Sequence, residues 1–214
     1  ADLVMDLHCD WEAAMHLYTS DSSWPAAADL SAQIGAGACL IAEESGDNPF
    51  DEAFSLPWVV MRREYGEAFP IPMATLAATI ELRGEQDVYD HYATEDAANL
   101  FCFLQRRGVI AGDPGPLPAA KCDATPLAGV DRVTATHGGM IVFSTKPGGM
   151  VKAGQELGYV LDTETGEKTP FSSKTDGFMY ARVGGRLVVP GGLLCSVAGP
   201  SVLPGKTGNL LTAR

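Results

Sequence analysis

Few of the usual chemical signatures are present in this chain of 214 residues. Cysteine is sparse and odd in number, at Cys9, Cys39, Cys102, Cys122 and Cys195, with no Cys-x-x-Cys pair. That spacing indicates neither a zinc knuckle nor a disulfide framework, and a reducing cytoplasm is the expected compartment. No apolar run reaches the length of a membrane span, and no secretory leader is visible. Positive charge is scarce too, with 15 Lys and Arg against 27 Asp and Glu, a formal net charge of −12. Such a surface argues against nucleic acid or an anionic membrane as a partner. It leaves a small acidic substrate open, because a pocket can be locally basic. His-x-x-Glu, Gly-x-Ser-x-Gly, P-loop and Gly-x-Gly-x-x-Gly motifs are all missing.

Apolar residues make up 46% of the chain, enough for one large domain or two modest ones. Leu3-Val4-Met5 reads as a strand that opens the chain almost at once. Domains usually begin with a frayed polar segment, so further chain is expected upstream of Ala1. Pro25 starts a helix that Gly35 and Gly37 end. Ala38 to Ala42 is a short apolar run suited to a strand buried on both faces. Asp51 to Tyr65 is helical in pattern, with a restart expected at Pro57, and Met73 to Leu82 is a second long strand. Thr94 is the expected cap of a helix whose apolar face carries Ala97, Leu100, Phe101 and Leu104.

Alternating strands and helices of this kind predict an α/β layer on a mixed or parallel sheet over residues 1–112. A stiff Pro-rich linker is expected over 113–126, followed by glycine-punctuated β runs over 127–200 and a tail over 201–214. Gly148 to Val160 repeats as Gly184 to Val197, each copy a glycine turn, a short strand, a second glycine turn and another strand. Two such units facing each other would bury a core that neither buries alone. The pattern resembles the barrel-sandwich fold of biotinyl and lipoyl carriers. Their modified lysine would correspond to Lys168, whose flanking Glu167 and Thr169 differ from a carrier context.

Two positions carry chemistry. His8 ends the first strand between Asp6 and Asp10, and alternation would turn all three side chains one way. Imidazole suits zinc, and a nearby carboxylate can fix its tautomer from outside the ligand set. The alternative is a plain hydrogen-bonded histidine, as most lone histidines near a strand end are. Glu81 ends the second long strand, where α/β sheets bind ligands. Partly desolvated, it could serve as general base, or it could simply pair with Arg83. Arg83 is either a fork for a substrate carboxylate or a surface ion pair. His16 either lines the same cleft or packs in the core, and His91, Glu95 and His137 read as surface or turn residues.

Asp6-Leu7-His8, then Glu81 within Thr79 to Gly84, then the glycine-rich β region, occur in the order that resembles the succinylglutamate desuccinylase/aspartoacylase family. The resemblance implies a zinc-carboxypeptidase-like mixed-sheet domain with an appended β domain. It implies that His8 is the third zinc ligand and Glu81 the catalytic glutamate. It also implies hydrolysis of the amide bond in an N-acyl amino acid or related small molecule. The family's first two ligands lie in a His-x-x-Glu motif upstream of the Asp-Leu-His strand. On that ground the chain is expected to be the C-terminal part of a longer enzyme, metal-poor and inactive as it stands. The alternative is a binding protein, or carrier-like protein, that keeps the fold without the metal. A sheet edge left open would favour a homo-oligomer.

Overall fold

A computed structural model describes residues 1–206 and 208–211. Most of the predicted tail falls within this range, while residues 207 and 212–214 lie outside the described residues. The elements run β1 (Leu3–Asp10), β2 (Glu12–Ala13), β3 (His16–Thr19), α1 (Trp24–Ile34), β4 (Ala38–Ile41), α2 (Phe50–Tyr65), β5 (Leu76–Gly84), α3 (Asp90–Arg106) and β6 (Ala124–Pro126). A single 3₁₀ turn, Leu127–Gly129, leads into β7 (Val130–Thr134), β8 (Gly139–Phe143), β9 (Gly149–Val151) and β10 (Glu156–Leu161). β11 (Lys168–Ser172), β12 (Gly177–Arg182), β13 (Leu187–Val188) and β14 (Leu193–Ala198) complete the order.

The first sheet is mixed, in the order β1-β5-β3-β4-β6, with only the β3–β5 pair antiparallel. Leu17, Cys39, Ala78 and Ile80 turn one face of it toward α1 and α3, which add Ala27, Leu30 and Phe103 to a closed core. α1 forms as its sequence predicts. Pro25 occupies the first turn, where a missing N–H costs nothing. Gly35 ends it in the left-handed region at φ 69°, returning its N–H to the last carbonyls. Among the described residues the outer edge of β1 has no strand beside it, and Leu7 there is 50% exposed. No helix among them is long and apolar enough to cross a membrane.

Three local expectations fail. α2 runs unbroken through Pro57, which lies exposed in mid-helix. The helix is held on both sides of it, by the buried Ser55 hydroxyl on the Asp51 carbonyl and by Trp58 Nε1 donating to Thr75 Oγ1 at 3.1 Å. α3 starts at Asp90, four residues before the predicted cap, and Thr94 donates instead to the Asp90 carbonyl at 2.7 Å. His91 and Glu95 therefore do share that helix, and both are exposed. Its buried ring is Phe103, while Phe101 is 49% exposed. The Pro-rich segment ends as a strand rather than as linker, since β6 pairs in parallel with β4.

The glycine repeat has a structural counterpart. Its turns use Gly154 and Gly191 at nearly the same left-handed φ, 79° and 80°. In the first copy β9 lies in the sheet built on β12 and β14, and β10 lies in the sheet β11-β10-β8-β13. In the second copy the placement is reversed, β13 pairing with β8 and β14 with β12. The two sheets share one core, with Val151, Leu157 and Val160 from the first copy against Leu194, Cys195 and Val197 from the second. Lys168 opens β11 opposite Leu161, with Nζ 4.8 Å from the centre of the Tyr159 ring. The β region is stitched to the first sheet by β2, which pairs with β12, and by Glu12, which takes ion pairs from Arg182 at 2.6 Å and from Arg186.

Candidate active site

Register brings the two sequence candidates together. β1 sets His8 beside Glu81 and Asp6 beside Thr79, and β3 sets His16 against Glu81 from the other side. Glu81 is the middle of a three-strand row. The β region closes one end of that row, where the Tyr180 ring lies 4.7 Å from the His16 ring. The other end opens into a cavity of about 480 Å³ lined by Asp6, His8, Thr79 and Glu81 from the sheet, with Tyr18 and the start of α2 as walls.

His8 is half exposed, and its Nε2 lies 2.9 Å from Asp6 Oδ2. Glu81 is partly buried, with Oε2 shut away from water and without a hydrogen-bond partner. Burial pushes its carboxyl up to about 7, Asp10 and Asp6 push the same way, and His8 opposes them. A carboxyl balanced near neutrality can hold or release a proton under ordinary conditions.

His16 is fully buried. Its Nδ1–H donates to the Ala14 carbonyl at 2.8 Å, Nε2 has no partner, and the ring does not reach the cavity. The packed reading of this residue holds.

Asp10 and Arg83 depart from simple alternation. The β1–β5 register slips between His8 and Asp10, so that Cys9 alone stands against Leu82 and Arg83. Arg83 takes up the slip with a left-handed φ of 65°. This is a β-bulge, and it re-aims the side chains beyond it. Asp10 Oδ1 accepts the Trp11 N–H at 2.7 Å. Arg83 donates to Asp96 at 2.6 Å, stacks over Tyr92 and lines a different cavity. Of the two readings of Arg83 the structure shows the ion pair, and among the described residues Arg83 is not in the lining of the His8–Glu81 cavity.

Asp51 and Glu52 were not legible as site residues. Both line the cavity and are almost wholly buried. Burial raises Asp51 to about 6, against the Thr79 hydroxyl that donates to it at 3.2 Å. Glu52 Oε1 accepts the Ser45 N–H at 2.8 Å, and its Oε2 has no partner. In sequence they are two acids in a first helical turn, which the helix dipole explains by itself. The overlooked signal is that the buried positions of α2 are Asp51, Glu52 and Ser55, a polar inner face where an amphipathic helix should be apolar. The described lining thus carries four carboxylates, one imidazole and no Lys or Arg.

Zinc does not fit these residues as a complete set. A catalytic zinc takes three protein ligands. Among the described residues no three His, Cys, Asp or Glu side chains converge to hold a metal. His8 offers a single nitrogen.

No family model and no curated protein sequence matches the chain. Solved structures do. A succinylglutamate desuccinylase/aspartoacylase family protein from Shewanella amazonensis SB2B superimposes with a TM-score of 0.79 at 26% identity, over 92% of this chain and 54% of its own. A second, from Shewanella frigidimarina NCIMB 400, gives 0.79 at 24%, over 93% of this chain and 54% of its own. The product-bound ectoine utilization protein EutE (DoeB) from Ruegeria pomeroyi gives 0.69 at 17%, over 93% and 58%. The chain has the mixed α/β fold of the succinylglutamate desuccinylase/aspartoacylase proteins across nearly its whole length, as the motif order implied. It spans a little over half the length of the structures it matches.

Proposed function

We propose that the His8–Glu81 cavity is the working centre of a deacylase-type hydrolase that cleaves the amide bond of an N-acyl amino acid or related small molecule. The observation that carries this reading is Glu81. It is a partly desolvated carboxyl at the end of a central strand, beside His8, in the wall of a cavity large enough for a small molecule. Glu81 takes a proton from the attacking water and returns it to the departing amine nitrogen, so that acid and amine leave with the charge balanced. Thr79 and Tyr18 bound the space in which the amide lies.

Zinc dependence belongs to this proposal through the family resemblance. His8 would give one donor to such a zinc. The two facing sheets of β7 to β14 correspond in this reading to a barrel-sandwich unit that backs the His16 end of the Glu81 row, where Tyr180 packs on His16. The open edge of β1 supports pairing with another strand, including one from a second copy. The scattered, odd-numbered cysteines of the sequence are the ground for placing it in a reducing cytoplasm.

The reading is tested on the protein as its natural gene encodes it, by following free amine released from a panel of N-acyl amino acids with zinc supplied. Release from at least one member, lost on chelation and restored by zinc, is expected. No release from any member contradicts it.

A further inference from the structure

Cys39 and Cys122 are 83 residues apart in the chain, yet their sulfurs lie 3.4 Å from each other. Cys39 is fully buried in β4, with Ser31 Oγ of α1 2.8 Å from its Sγ. Cys122 stands two residues before β6, and its thiol also reaches the Ala36 carbonyl at 3.3 Å. It is only partly buried and lines the second cavity, of about 980 Å³, between the α/β layer and the β region. One thiol of the pair is therefore open to a small oxidant, while the other is held in the core behind it.

We propose that Cys39 and Cys122 form a reversible dithiol–disulfide pair that staples the Pro-rich segment to the edge of the first sheet. The oxidant is hydrogen peroxide or a small-molecule disulfide. With peroxide, the Cys122 thiolate attacks one oxygen, the O–O bond breaks, and hydroxide leaves with a sulfenic acid formed on Cys122. The Cys39 sulfur then attacks the Cys122 sulfur, the S–O bond breaks, and the Cys39 proton leaves with the oxygen as water. Each thiol gives up one hydrogen, and the peroxide is reduced to two waters.

The roles follow from the surroundings. The bond from Cys39 lowers Cys122, whereas the same contact and burial raise Cys39 well above an ordinary thiol. Cys122 is thus the thiol that ionises, and the thiolate is the reactive form. Closing the bond requires the sulfurs to approach by about 1.4 Å, to a bonded distance of roughly 2.05 Å. The stretch before β6 has no strand partner to resist that movement.

The test is to treat the folded chain with peroxide, unfold it without reductant, alkylate it and map the peptides. A linked Cys39–Cys122 peptide is expected, with loss of two hydrogens. Both thiols should escape alkylation, and a dithiol reductant should reverse it. The oxidised protein should unfold at higher denaturant than the reduced one, and this shift should vanish in Cys122→Ser and Cys122→Ala. Full alkylation of Cys39 after oxidation, a linkage through Cys9 instead, or over-oxidised Cys122 without a link would overturn the proposal.

Discussion

Glu81→Gln should lower amide hydrolysis by roughly 10² to 10⁴-fold, the usual contribution of a positioned general base. The substitution keeps the shape of the side chain and removes its charge and its capacity to carry a proton. Glu81 sits opposite His8 in a parallel pair and opposite His16 in an antiparallel one, so its backbone is fixed from both sides. One oxygen is already without a partner, and an amide there loses no hydrogen bond of the native state. The fold should survive, and kcat should fall with little change in KM, because the lost interaction belongs to the transition state. Circular dichroism and steady-state kinetics check the two halves. Activity retained within a few-fold would remove Glu81 from the proton-transfer role.

The contribution of His16 to stability should be lost in acid. In the folded state this imidazole is pushed down to about 4 by burial, against an ordinary value of 6.5, with the Ala14 carbonyl bond and Asp10 opposing. Its neutral form is therefore the one that folding favours. The stability is complete above pH 6.5 and is lost as pH falls toward 4, by about 3 kcal/mol. Asp51, raised to about 6, and Glu81, raised to about 7, act in the other direction, since their protonated forms suit the fold. The His16 contribution is isolated by comparison with His16→Gln. The stability of the wild type relative to that variant should fall by about 3 kcal/mol between pH 7 and pH 4 in urea titrations. The imidazole resonances of His16 should also stay unshifted down to pH 5. A midpoint near 6.5 would contradict its buried, neutral state.

What could be read from the sequence was local. Pro25 and Gly35 bracket α1 because each acts on its own backbone. Gly154 and Gly191 announce their turns for the same reason. His8 and Glu81 stood out because a polar residue closing an apolar run is visible without a partner. The remainder depends on contacts distant in the chain. β2 and β6 are too short to show a period, and they exist because β12 and β4 offer them an edge. Asp51 and Glu52 reach the cavity only because α2 lays its first turn against β5. Arg83 shares the parity of Glu81 on paper, but the bulge beside Cys9 and its left-handed φ turn it toward Asp96. Alternation cannot foresee such a slip.

The central claim is that the cavity beside His8 and Glu81, and not the larger one beside Cys122, receives the substrate. Its most direct test is backbone NMR of the 214-residue chain titrated with an N-acyl amino acid and with the free amine product. Shifts concentrated at Tyr18, Thr19, Thr79 and Glu81, and weakened in Glu81→Gln, are the expected result. Shifts confined to Lys121, Cys122 and Phe178, with the Glu81 row silent, would contradict it.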